Sequence, residues 1–239
     1  MRKVVYVFLL ILTAQVAKAQ TTLTLADSLF EKKKYTESFE LYKSILELEK
    51  KSSPSMLLKM AYIKEGLGGY SDALYYLNLY YLQTADKKVL SKMEELSKKR
   101  NMKGYEFSDF EFIQTIFYKY YFIICGLVMA LAILFLAFTY HLKFNLKRSP
   151  ILPASFMSIS LAILFYILNF GHDYDKAIIN QSSTYMMSGP GAGAEVISII
   201  DKGNRLQTKG EYDVWTKVEF DNKTGYIKTD KLKKIAFSN

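Results

Sequence analysis

Tyr121–Tyr140 reads YFIICGLVMALAILFLAFTY, and Ile151–Phe170 reads ILPASFMSISLAILFYILNF. Neither run carries a charge. A helix rises about 1.5 Å per residue, so each run reaches about 30 Å, the thickness of a bilayer's hydrocarbon core. Soluble cores seldom supply two tandem helices that are apolar on every side. The reading is therefore two transmembrane helices, over 118–140 and 151–170, and a buried hairpin in a soluble domain is the alternative. The turn between them, HLKFNLKRSP over 141–150, holds Lys143, Lys147 and Arg148 and no acid. Such an excess of Lys and Arg marks a cytoplasmic turn.

The N-terminus gives the same orientation. Arg2 and Lys3 precede an apolar run, Val4–Leu12, and Ala17-Lys18-Ala19 fits a small-x-small cleavage pattern. Residues 1–19 thus read as a signal peptide, with an uncleaved anchor as the alternative. Residues 20–117 then begin outside the cytoplasm, and the second helix returns the chain to that side. The expectation is a two-pass protein of the inner (cytoplasmic) membrane with both soluble parts in the periplasm. The aromatic residues Phe117, Tyr118, Tyr120, Tyr121 and Tyr140 suit the headgroup level.

The chain has 239 residues, a net charge of +9 and a single cysteine. The lysines are interleaved with glutamates and form no compact basic stripe, so an anionic membrane surface accounts for the charge better than nucleic acid. Cys125 lies inside the first apolar run and has no cysteine to pair with.

Residues 22–100 read as helices with apolar residues at three- and four-residue steps. KKKYTESFELYKSIL aligns with LGGYSDALYYLNLYY, placing Ala26 with Ala61, Tyr35 with Tyr70, Ser38 with Ala73 and Tyr42 with Leu77. This resembles the tetratricopeptide repeat, a two-helix unit of about 34 residues. The resemblance implies that Ala26, Ala61, Ser38 and Ala73 allow close helix crossing, while the large residues fill the space between repeats. A plain helical bundle is the alternative. Gly68 stands where the pattern has a glycine before the second helix, and Lys33 replaces it in the first copy. Tyr75, Tyr76, Tyr80 and Tyr81 are candidates for a protein-binding face. The link over 101–117 reads as a surface segment or an extension of the first spanning helix.

Residues 177–235 change to short β-type runs split by Gly, Asn and Asp turns, the pattern of a small all-β barrel. With so small a core, Trp215 is expected inside it. The order Gly189-Pro190, Val196–Ile200, Gly203, Trp215–Val218 and Gly225-Tyr226-Ile227 resembles the bacterial SH3-like domain. Met187, Gly189, Pro190, Trp215, Val218, Gly225 and Tyr226 are its expected core or cleft residues. The family often has Asn-Val-Arg before the Gly-Pro turn, whereas this chain has Met186-Met187-Ser188. The resemblance implies a grip on peptidoglycan or on a partner protein.

The expected fold class is a multidomain membrane protein with all-α tetratricopeptide-like helical repeats, two transmembrane helices and a small all-β SH3-like barrel. That combination resembles the BatE-like proteins of Bacteroidota aerotolerance (Bat) operons. The resemblance implies membrane or periplasmic partners, among them Bat proteins with von Willebrand A domains. The function read from this is a non-catalytic scaffold of an inner-membrane complex. A peptidoglycan-binding membrane anchor acting through the SH3-like domain is the alternative.

Chemistry is sparse. The two histidines, His141 and His172, flank the second helix and fall on opposite sides of the membrane, so they cannot share a metal. No glycine-rich loop ends in Lys-Ser or Lys-Thr. No ionisable Asp, Glu, Lys, Arg or His interrupts either apolar run. The reading assigns no catalytic residue, no metal, no cofactor and no nucleic-acid partner.

Overall fold

The computed structural model describes residues 22–171 and 174–237. The signal-peptide reading of 1–19 and the histidine at 172 lie outside the described residues. The chain divides into two compact units. One joins the residues up to Glu106 with those from Asp175 onward, and the other is Phe107–Tyr174.

The first unit begins with helices α1 (22–31), α2 (Tyr35–Leu48), α3 (Pro54–Gly66), α4 (Tyr70–Thr84) and α5 (Lys88–Lys99). Ser53 caps α3, its hydroxyl accepting from the Met56 amide at 3.2 Å, and Pro54 takes the first helical position, where a missing N–H costs nothing. Small residues bring α1 and α2 together: Ala26 and Ser38 are fully buried, and the Ser38 hydroxyl donates to the Ala26 carbonyl at 2.8 Å. Ala61 on α3 and Ala73 on α4 are buried as well. The turns at Lys33 and Gly68 share a left-handed backbone, with φ of 59° and 76°. Lys33 therefore adopts the conformation that glycine takes without steric cost in the second turn.

Seven strands follow: β1 (Lys176–Ile179), β2 (Thr184–Met187), β3 (Val196–Ile200), β4 (Arg205–Tyr212), β5 (Trp215–Phe220), β6 (Lys223–Lys228) and β7 (Leu232–Lys234). They make one antiparallel sheet in the order β3-β2-β6-β5-β4-β1-β7. Each strand sends at least one side chain to a single apolar cluster, which includes Ala177, Met186, Ile200, Leu206, Val218, Ile227 and Leu232. The sheet bends around that cluster without closing. This corrects the expected barrel: β3 and β7 end the order as edges, and β2 meets β6 at one register pair, Met187 with Tyr226. β1, a four-residue strand that periodicity did not reveal, pairs with both β4 and β7 and so adds two strands to that end of the sheet, leaving β7 as its outer edge.

The helices and the sheet belong to one compact unit. The segment after α5 runs along the sheet. The Arg205 amide donates to the Lys103 carbonyl at 3.0 Å, and the Lys103 amide donates to Asn204 Oδ1 at 2.7 Å. The Tyr105 hydroxyl donates to the Gly203 carbonyl at 2.7 Å. Arg205 is 2% exposed. Its Nε donates to the Gly104 carbonyl at 2.5 Å, and its Nη1 reaches Asn78 Oδ1 on α4 at 3.1 Å. Gly104 has φ of 86°, and a Cβ there would lie 1.9 Å from the Arg205 carbonyl oxygen, so the segment passes only with glycine.

The second unit holds α6 (Asp109–Lys119), α7 (Tyr121–Tyr140) and α8 (Ile151–Phe170). Ser108 caps α6 by accepting from the Glu111 amide at 3.2 Å. Glu111 is buried and accepts from the Tyr174 hydroxyl at 3.2 Å. Helix α7 and α8 form an antiparallel hairpin, with Phe135 stacked on Phe156 at 5.4 Å and the Tyr121 hydroxyl 3.5 Å from the Ile167 carbonyl. Tyr120 breaks the helix expected from 118. At the other end the helix continues as a π turn, His141–Asn145, so half of the expected basic turn is helical. Lys143, Lys147 and Arg148 are all exposed there. By length and composition α7 with its π turn and α8 qualify as candidate membrane spans. Only 6% and 11% of their apolar windows are buried, unlike the core helix of a soluble protein.

Removing the Arg205 side chain leaves the Gly104 carbonyl and the Asn78 amide oxygen without their buried donor. Arg205→Met should cost about 3 kcal/mol of stability. Urea unfolding of the detergent-solubilised chain measures it, and a change within about 0.5 kcal/mol would mean that the contact is energetically idle.

Candidate binding groove

Among the described residues, the concavities of the first unit include three of distinct character. The most polar is lined by Lys103, Lys176, Arg205, Asp221 and neighbours, but its charges answer each other: Lys103 Nζ lies 2.6 Å from Asp221 Oδ2. A small one lies between Leu46, Tyr75, Tyr76 and Leu79 of the helices and Lys233, Ala236 and Phe237 of the chain's end. The third, about 330 Å³, lies on the sheet and is mostly apolar. It is the one with the chemistry of a binding site, an apolar floor with a few polar groups at its rim.

Its floor comes from strand register. Trp215 opens β5, with its ring largely covered at 8% exposure. Met187 closes β2 beside the bulge between Met186 and Met187. Lys228 is the cross-strand partner of Trp215, and this register carries its ammonium to 5.9 Å from the Trp215 ring. At that separation a cation over an indole is attractive. The wall is the turn into β2, with Gln181, Ser182, Ser183 and Thr184 followed by Tyr185. Thr184 holds the turn by donating to the Gln181 carbonyl at 2.7 Å. Tyr185 points outward and is 56% exposed. Lys231, on a short 3₁₀ turn Thr229–Lys231, completes the rim, and Ala192 reaches in from the β2–β3 loop.

The residues named from sequence separate into several environments. Met187 and Trp215 meet in the groove. Val218 is fully buried in the apolar cluster. Gly225 is buried against β2, where a Cβ would stand 2.6 Å from Met186 Cγ and 2.8 Å from the Met187 carbonyl. Its lack of a side chain lets β2 join β6. Tyr226 is opposite Met187 in register and packs edge-on against Tyr212 at 5.7 Å. Gly189 and Pro190 lie in the loop beyond β2, with Pro190 exposed. Tyr185, Lys228 and Lys231 were missed. The pairing of Trp215 with Lys228 across the β5–β6 turn, at Asp221-Asn222, was the signal for Lys228.

In the helices, Tyr42 is buried and donates to Asp27 Oδ1 at 2.5 Å, while Lys59 bridges to the same oxygen at 2.7 Å. Burial alone would raise the Asp27 carboxyl, but these hydrogen bonds and the Lys59 charge hold it below its usual range. Tyr35 lies edge-on to Phe30 at 5.4 Å, Tyr70 faces the Arg100 guanidinium at 4.0 Å, and Leu77 is buried. The four tyrosines proposed as a binding face are not a free face. Tyr76 and Tyr81 are buried, Tyr80 is half-buried with its hydroxyl 3.4 Å from Asp86 Oδ2, and Lys233 of β7 covers Tyr75 at 3.9 Å from its ring. The sequence pattern showed aromatic density on α4, whereas the cover came from a strand far along the chain.

Among the described residues no group of three His, Cys, Asp or Glu side chains could hold a metal ion. His141 Nδ1 contacts Asn145 Nδ2 at 2.9 Å, and Cys125 is half-buried.

A family model described as the bacterial SH3 domain matches residues 182–233. Those residues form an SH3-like domain, a class of interaction module, and the match contains the groove from Ser182 to Lys231. A search of curated proteins found no match to this chain.

Lys233 offers a probe of the packing between sheet and helices. Burial lowers its ammonium pKa, although Asp72, 3.4 Å away, opposes the shift. A lysine with a depressed folded pKa loses its proton earlier in the folded chain than in the unfolded one. Stability then rises as pH climbs through the folded value towards the ordinary 10.5. Tyr75, pushed up to about 12 by burial, contributes in the opposite sense once pH passes its ordinary 10.0. The difference in unfolding midpoint between the natural chain and Lys233→Met should therefore shift in favour of the natural chain as pH approaches 10. A difference independent of pH would show that Lys233 is not held in a desolvated place.

Proposed function

We propose that this protein is a non-catalytic, membrane-anchored binding protein whose SH3-like domain grips the cell wall through the groove at Trp215. The observation that carries the reading is the groove itself: a covered indole floor, an exposed aromatic wall at Tyr185 and two lysines at the rim, within the part of the chain that matches the bacterial SH3 domain. Apolar floors with a few placed polar groups take a ligand in a fixed orientation. The α7–α8 hairpin serves as the anchor. The leader-like N-terminus and the basic hairpin tip support a periplasmic setting for both soluble segments, where wall polymer is within reach.

A second reading is a scaffold within an inner-membrane complex. The family resemblance to the BatE-like proteins of aerotolerance operons supports it, and it would bring partners with von Willebrand A domains. The wall reading is preferred because the exposed aromatic and the lysines lie on the SH3-like domain, whereas the tyrosine-rich helical face is covered by Lys233.

Co-sedimentation of the detergent-solubilised full chain with purified peptidoglycan sacculi tests the reading. Tyr185 is exposed and lies outside the apolar cluster of the sheet, so Tyr185→Ala should leave the fold intact and lower the retained fraction about fivefold or more, as expected for loss of an aromatic contact. Retention unchanged in the variant, or no retention of the natural chain, would contradict the wall-binding groove.

A further inference from the structure

We infer that the groove selects free carboxylates, so that its ligand is an acidic stem peptide of the wall and not the neutral sugar backbone. The inference rests on the wall-binding reading and names the group that the site recognises. The lining has two cations, Lys228 and Lys231, and no acid. Among the described residues Lys228 makes no ion pair. Its charge stands over the Trp215 ring at the mouth of the groove, held there by its cross-strand position. Lys231 leans on the neighbouring Asp230, 3.2 Å from its Oδ2, but this pair is solvent-exposed on the Asp230 side and leaves further ammonium donors free for a second acceptor. Asp201 is turned to the backbone of the groove wall, where its Oδ1 accepts from the Ser183 amide at 3.1 Å.

The groove therefore differs from the polar depression on the same unit, whose lining includes both Lys103 and Asp221. The depression at Lys103 pairs its lysine with Asp221, and Lys209 and Lys234 pair with Glu219 and Glu211. At the groove the positive charge is left for a ligand. A carboxylate at the Lys228–Lys231 rim would place the aliphatic part of the same residue over Met187 and Trp215. The hydroxyls of Ser182 and Ser183 and the Gln181 amide lie along the wall for peptide groups. An uncharged polysaccharide would use the aromatic floor and leave both ammonium groups without an acceptor.

The test compares native sacculi with sacculi whose carboxyl groups have been converted to neutral amides with carbodiimide and ethanolamine. The full chain in detergent should be retained on native sacculi and lost from amidated ones. K228Q/K231Q should lose about fivefold or more of its retention on native sacculi, the scale of two exposed ion pairs removed together. K32Q/K98Q removes the same charge from the helices and should keep its retention. Equal retention on native and amidated sacculi, or equal losses from the two double variants, would overturn carboxylate selection while leaving wall binding in place. Absence of retention on native sacculi would overturn the wall reading and this inference with it.

Discussion

Arg205 is the constraint on which the first unit depends. A guanidinium cannot shed its charge, so burying it demands acceptors in fixed places. Two come from distant parts of the chain, the Gly104 carbonyl after the last helix of the helical half and Asn78 in the middle of α4. Asn78 is itself held, its amide donating to the Leu74 carbonyl at 2.7 Å. The strand that starts at Arg205 is thus tied to a helix more than a hundred residues earlier. Hydrogen bonds at Lys103 and Tyr105 extend the tie to the neighbouring turn.

This tie explains why the sheet is stable without closing. An SH3-like sheet of this size has a small core of its own. Here the helical layer covers part of β7, with Lys233 over Tyr75 and Phe237 beside Leu46 and Leu79. The cover removes water from one end of the sheet, and the β1 insertion gives β7 a partner. The groove at Trp215 lies between β2, β5 and β6, outside the helical cover. A binding surface held on a rigid sheet keeps its floor and its rim lysines in place, which reduces the ordering cost of binding.

The apolar helices were legible because length and lack of charge are local properties. Helical spacing is local as well, and the small residues it singled out, Ala26, Ser38, Ala61 and Ala73, are all buried. The SH3-like character of the C-terminal segment was readable from Trp215, Gly225 and the turn residues. The open sheet was not, since β1 and β2 are four-residue strands with no alternation to announce them. The burial of Arg205 and the cover over Tyr75 and Tyr76 were hidden for a different reason. Both are set by contacts across more than a hundred residues, and neither Arg205 nor Lys233 differs in sequence context from a solvated cation. The rim lysines were hidden because their meaning comes from register: Lys228 matters only as the neighbour of Trp215.

The central claim is that ligand is held at the β2–β5–β6 groove of a unit tied together through Arg205. Hydrogen–deuterium exchange of the full chain in lipid nanodiscs, with and without soluble wall fragments bearing stem peptides, addresses it most directly. The account predicts slower exchange on ligand addition at Ser182–Met187 and around Trp215 and Lys228, with the helices unchanged. Protection confined to α2 and α4, or none at the groove at saturating fragment, would contradict it.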